Sequence, residues 1–282
     1  MSAPASDTAS DYPTECASFV VTISDHIADV ALVDTAMGPT FFDELPRVFG
    51  QLDADPEVRV IVLSSAGPNF SYGLDLISMA PIFDGLMRDG GAGAKARSTF
   101  LLKIRELQDA ITAVADCRTP IISAISGWCI GGGVDLISAT DIRLASADAR
   151  FSVREAKVAM VADIGSLQRL VGIIGDGHLR ELALAAGDID SARAERIGLV
   201  NTVYPDAAAL GEAAHTLAGE IAANPPLVLR GVKDVLDAER APRVASGLRY
   251  VSAWNAAFLP SEDLAEALTA FAERRSPQFR GE

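Results

Sequence analysis

The chain has 282 residues and a formal net charge of −14, from 24 Lys and Arg against 38 Asp and Glu. That long-range field repels nucleic acid and anionic membranes, which argues against both as partners. Although 49% of the residues are hydrophobic, no apolar run approaches the roughly 20 residues that span a bilayer, and the expectation is a soluble, enzyme-sized α/β protein.

Met1–Glu15 is small and polar, with Asp7, Asp11 and Glu15 but no Lys or Arg, and reads as a flexible tail, not a signal or transit peptide. Cys16, Cys117 and Cys129 have no metal-ligand spacing and do not pair evenly, which fits a reducing cytoplasm. Phe19–Ile23 and Ile27–Val33, broken at Ser24-Asp25-His26, predict a hairpin that opens the sheet. Phe41, Phe42, Leu45, Val48, Phe49 and Leu52 form a helical stripe, Val58–Ser65 a buried strand, and Ala66–Phe70 a loop. Ser71–Leu76 leads into a short helical piece. Pro81–Lys95, with Asp89-Gly90-Gly91-Ala92-Gly93, predicts a mobile insertion, either a lid or a surface loop without a role.

Ala96–Ala115 carries Phe100, Ile104, Leu107, Ile111 and Val114 at helical spacing, and Pro120–Ile125 is a buried strand. The turn Gly127-Trp128-Cys129-Ile130-Gly131-Gly132-Gly133-Val134-Asp135-Leu136 follows. Val134–Ala139 opens a helix, and Asp141–Ala145 and Arg150–Val153 are extended. Helices are predicted over Ile164–Ile174, His178–Ala186 and Ser191–Ile197, then a strand over Leu199–Tyr204. From Ala207 the pattern is helical, with interruptions expected at Pro225-Pro226, Pro242 and Pro260. The chain divides into a tail (1–15), a core (16–204) and a C-terminal helical region (205–282), without an internal repeat.

The chemistry concentrates around the glycine turn. Consecutive glycines between a strand and a helix expose bare N–H groups beside the positive end of the helix. Asp135, just past them, disfavours a phosphate and favours a carbonyl oxygen with a proton transfer. Leu74, after Gly73, and Gly132 or Gly133 each follow a predicted parallel strand, so their N–H groups can converge as an oxyanion hole. For each glycine alone a tight turn is the simpler role. Asp135 is also what a helix N-terminus favours without any catalysis. Glu155 and Asp163 arrive eight positions apart in apolar surroundings, either as acids with raised pKa or as partners of Arg154 or Arg169. His26, His178 and His215 are scattered, so neither a Ser–His–Asp triad nor a zinc site is expected, and no Lys-Ser or Lys-Thr follows the glycines to make a P-loop.

The run Gly127–Leu136, Asp141-Ile142-Arg143, Phe151–Glu155, Gln168-Arg169-Leu170, Ala194–Val200 and Ser261–Leu264 resemble the enoyl-CoA hydratase/isomerase (crotonase) superfamily over about Ser18–Gly281. The resemblance implies a crotonase-like ββα spiral with a C-terminal helical oligomerisation region joining homotrimers or dimers of trimers. It implies an acyl-CoA thioester substrate, with coenzyme A part of that substrate and no separate cofactor. The oxyanion donors fall on Leu74 and Gly132, and acyl-CoA lies along Gly73, Leu74, Asp75, Leu76, Ile77 and Gly133. Hydratases of the superfamily carry glutamates at the positions of Asp135 and Glu155 and glycine at that of Asp163. Three acids are instead the pattern of its dienoyl-CoA isomerases. The implied reaction takes 3,5-dienoyl-CoA to 2,4-dienoyl-CoA in fatty acid degradation, with Glu155 taking the C2 proton and Asp163 returning one at C6, or the reverse. Asp135 orients or tunes the pair. The alternatives are an enoyl-CoA hydratase and a noncatalytic acyl-CoA-binding or assembly subunit. Where many members have a basic residue and Asn for the nucleotide end of CoA, this chain reads Ala36-Met37-Gly38-Pro39-Thr40.

Overall fold

The computed structural model describes residues 16–83, 86 and 93–281. The predicted tail 1–15 and the middle of the predicted insertion, 84–85 and 87–92, lie outside the described residues. The hairpin forms from β1 (Phe19–Ser24) and β2 (Ile27–Leu32), paired antiparallel. There follow β3 (Ala36–Met37), α1 (Pro39–Ala54), β4 (Val60–Ser65), β5 (Gly73–Leu74), α2 (Ala94–Ala115), β6 (Ile121–Ile125), β7 (Trp128–Ile130) and α3 (Gly132–Ser138). The next elements are β8 (Ile142–Ser146), β9 (Arg150–Ser152), α4 (Ser166–Arg169), α5 (Val171–Ile174), α6 (Asp176–Ala185), β10 (Ile189–Asp190), α7 (Ser191–Arg196) and β11 (Thr202–Tyr204). Three helices, α8 (Ala207–Ala222), α9 (Pro226–Phe258) and α10 (Glu262–Glu273), close the chain. Among the described residues no helix is long and apolar enough to cross a membrane.

The main sheet has the order β1-β2-β4-β6-β8-β11, all parallel after the first pair. Parallel strands are covered on both faces and therefore read as continuous apolar runs. In β4, Val60 and Val62 enter the cluster capped by Leu210, Ala214 and Ala218 of α8, whereas Ile61 and Leu63 point into the larger core with Leu45, Phe49 and Leu52 of α1. Strand alternation thus serves two layers at once. Two smaller sheets, β3-β5 and β10-β9-β7, carry the segments that leave the carboxyl ends of the main strands.

Some expectations change. Ile164–Ile174 is not one helix, because Gly165 at φ 144° lies outside the helical region; the turn starts at Ser166, and α4 and α5 are single turns. Pro225-Pro226 and Pro260 separate the last three helices as expected, but Pro242 does not interrupt α9, which runs through it for 33 residues. A proline removes one intrahelical hydrogen bond, and the packing of α9 on α2 and α4 holds the rest.

Candidate functional site

Parallel pairing of β4 with β6 sets Leu63 opposite Ser123, so the segments leaving their carboxyl ends run side by side. The first segment delivers Gly73 and Leu74; the second delivers Gly131 and Gly132. Gly73 has φ 82°. A Cβ on it would lie 2.8 Å from Ile130 O and 2.9 Å from Gly132 N, so only glycine permits this approach. Gly132 opens α3, where an N–H has no acceptor within the helix. Leu74 and Gly132 both line a cavity of about 410 Å³, together with Gly73, Asp75, Leu76 and Ile77. Gly133 does not line it. A Cβ there would meet Ser71 Cβ at 2.9 Å and Cys129 Sγ at 3.4 Å, so Gly133 faces the packed interior, and Gly131 takes its expected place on the cavity wall.

Asp135, Glu155 and Asp163 line the same cavity. Asp135, on α3, is 1% exposed, and its Oδ1 accepts the backbone N–H of Ser166. Burial pushes its carboxyl up to about 6, against the pull of that hydrogen bond and of Arg169. Arg169, itself buried on α4, donates to Ile164 O at 3.3 Å and Thr112 Oγ1 at 3.0 Å. A Cβ on Gly165 would fall 1.7 Å from the Arg169 guanidinium, so the bare backbone there makes room for this cation.

Glu155 begins a 3-10 turn, Glu155–Val158, and its Oε1 comes within 3.3 Å of where a Gly131 Cβ would stand. Its Oε2 is buried without a hydrogen-bond partner among the described residues. Burial, and then the negative charges of Asp135 and Asp163, push this carboxyl up to about 8. Asp163 receives a hydrogen bond on Oδ2 from Asn255 Nδ2 at 2.7 Å. Burial raises it to about 7, with Asn255 acting in the opposite direction. The salt-bridge alternative fails on geometry: Arg154 pairs with Asp188 and stands 5.7 Å from the Trp128 ring, and Arg169 is spent on Ile164 and Thr112.

Ala36, Ile130, Val158, Met160, Val161, Ile164 and, from α10, Phe271 make up most of the remaining wall, and Tyr72 and Arg154 also line it. Leu74 and Gly132 line one cavity with three carboxyl groups, Asp135, Glu155 and Asp163, that burial raises toward about 6, 8 and 7. The arrangement is equipped to hold charge on a carbonyl oxygen while protons move along a conjugated chain. Sequence reasoning missed Asn255, Ser166 and Phe271. Asn255 lies on α9, 92 residues from Asp163, and no spacing rule connects them.

The family described as enoyl-CoA hydratase/isomerase matches residues 22–282. A protein of Arabidopsis thaliana named Delta(3,5)-Delta(2,4)-dienoyl-CoA isomerase, peroxisomal, is 44% identical over 86% of this chain and 87% of its own length. The Dictyostelium discoideum protein named Delta(3,5)-Delta(2,4)-dienoyl-CoA isomerase, mitochondrial, is 41% identical over 87% and 83%. Among solved structures, an enoyl-CoA hydratase/isomerase from Xanthobacter autotrophicus Py2 superposes with a TM-score of 0.80, covering 92% of this chain and 94% of that one at 23% identity, which bears on the fold alone.

Proposed function

The chain belongs to the enoyl-CoA hydratase/isomerase family, and from that premise we propose that it is an enzyme converting 3,5-dienoyl-CoA to 2,4-dienoyl-CoA. The observation that carries this reading is the third acid: Asp163 shares one cavity with Glu155 and Asp135. A 1,5 proton shift needs a proton acceptor at one end of the conjugated system and a donor at the other.

In the proposed reaction the thioester oxygen lies between the N–H groups of Leu74 and Gly132, which hold the charge of the dienolate. Hydrogen bonding supports the order in which Asp163 takes the C2 proton and Glu155 supplies the C6 proton. Asp163 has an N–H donor that favours its carboxylate, whereas the buried Oε2 of Glu155 has none and favours the neutral acid. The C2–H bond breaks, its electrons spread over the dienolate, and the new C6–H bond takes the proton of Glu155. The pair ends the turnover with protonation exchanged, and proton transfer between them or through water restores it. Asp135 tunes the pair through its own charge. The chemistry needs no cofactor beyond the coenzyme A carried by the substrate. Gly73–Ile77 and the apolar walls are the proposed acyl-CoA contacts.

Assembly as a homotrimer or dimer of trimers belongs to the same reading, supported by exposed Leu227, Val235, Leu236 and Tyr250 along α9. A cytoplasmic setting is likewise proposed, supported by three free cysteines, Cys16, Cys117 and Cys129.

The test is the pH dependence of turnover. Activity requires Asp163 ionised and Glu155 protonated, so kcat is expected to rise as pH climbs through about 7 and to fall as it climbs through about 8. The two limbs belong to the coupled set of acids. A rate independent of pH from 5 to 10, roughly two units either side of this window, would contradict the assignment.

A further inference from the structure

Two amide side chains from different helices converge on Asp163. Gln108 of α2 donates from Nε2 to the backbone carbonyl of Asp163 at 2.6 Å and to Leu248 O at 3.1 Å. Asn255 of α9 donates from Nδ2 to Val161 O at 2.9 Å and to Asp163 Oδ2 at 2.7 Å. Both are buried, Asn255 at 1% exposure.

The orientation of the Asn255 amide follows from its partners. The Val161 carbonyl only accepts hydrogen bonds, so the NH2 group must face it. That group has two hydrogens: one goes to Val161 O and the other to Asp163 Oδ2. Asn255 Oδ1 is left buried without a partner among the described residues, a cost that a purely structural asparagine would not need to carry. An oxygen that accepts from an N–H at 2.7 Å cannot also present a proton in that direction.

We propose that Asn255 is the positioning residue of the proton shift: it occupies Asp163 Oδ2, so that Oδ1 alone takes and releases the proton. This rests on the reading of Asp163 as a proton-transfer group. The charged groups facing Asp163 are Asp135 from α3 and Glu155 from the 3-10 turn, both acids, while Arg169 faces Asp135. From α2 and α9 the neighbours are the neutral Gln108 and Asn255. Asn255 is thus the side chain that favours the carboxylate of Asp163 against burial and two like charges. It also makes the C-terminal helical region part of the reacting centre, since α9 supplies the donor.

Asn255→Leu keeps the size and removes the donor; Asn255→Asp keeps the shape and replaces the donor with a third acid facing Asp163. The Asp163 carboxyl is followed by carbon-13 resonance in aspartate-labelled full-length protein, with its signal assigned by its loss in Asp163→Asn. In both variants it is expected to titrate about one pH unit or more above the wild-type value. The rising limb of kcat moves with it, so kcat at pH 6 falls about tenfold while KM stays within about twofold. An unmoved titration and an unmoved rising limb in a folded variant would overturn the proposal. If the leucine variant does not fold, the aspartate variant decides. The carbon-13 titration needs no turnover: absence of isomerase activity in the wild type would refute the proposed reaction, while the titration still reports on Asn255.

Discussion

Asp163→Asn is expected to lower kcat for 3,5-dienoyl-CoA isomerisation by about 10²–10⁴-fold, the range for a positioned general acid or base, with little change in KM. The substitution keeps shape and volume, and its amide oxygen remains available to accept from Asn255 Nδ2, now at 2.7 Å from Asp163 Oδ2. The fold and the cavity therefore persist, and the loss reports on proton transfer. Glu155→Gln is expected to produce a loss of the same order. Because the two acids act as one relay, the double variant is expected to be no slower than the slower single variant by more than a small factor. Initial rates of appearance of the conjugated dienoyl thioester absorbance measure all three. Turnover surviving in the double variant would remove both acids from the mechanism.

Gly73→Ala is expected to cost about 10²–10³-fold in kcat, the loss associated with one displaced oxyanion donor. The new Cβ would sit 2.8 Å from Ile130 O and 2.9 Å from Gly132 N, and both obstacles are backbone. Relief requires the two loops to separate, which draws the N–H groups of Leu74 and Gly132 apart. The positive φ adds strain of its own, so a control is needed. Gly175 has φ 79°, yet a Cβ there meets nothing within 4 Å. Gly175→Ala therefore carries positive-φ strain without the clash, and is expected to lose stability by about 1–3 kcal/mol while kcat is retained. Equal kcat losses in the two variants would show that strain, and not donor placement, governs the effect.

The sequence patterns that survive in the structure are those set by local periodicity and by both-face burial. The stripe from Phe41 to Leu52 lies on α1, and the continuous apolar runs of β4 and β6 lie at the sheet centre. The convergence of the two loops was also legible, because parallel neighbours place their exits together. Three features were not. Gly133 and Gly131 are indistinguishable in the sequence, and which one faces the cavity depends on how α3 leaves β7 against Ser71. Pro242 signals a break, but helix packing outweighs one lost hydrogen bond. Asn255 sits between Trp254 and Phe258 on a helix whose neighbouring aromatics suggest only packing, and its partner is fixed by tertiary structure. Asp163 and Glu155, by contrast, were identifiable as acids in an apolar segment. What the structure adds is that neither is paired with Arg154 or Arg169, and at Glu155 burial outweighs the more distant charge of Arg154.

The most direct measurement is a parallel incubation of the wild-type protein with 3,5-dienoyl-CoA and with 2-enoyl-CoA. The first reaction is followed by gain of the conjugated dienoyl thioester absorbance and the second by loss of the enoyl thioester absorbance. Rapid gain is expected in the first and a far slower change in the second. Loss of the enoyl absorbance without formation of the conjugated diene would identify a hydratase and contradict the proposed isomerisation.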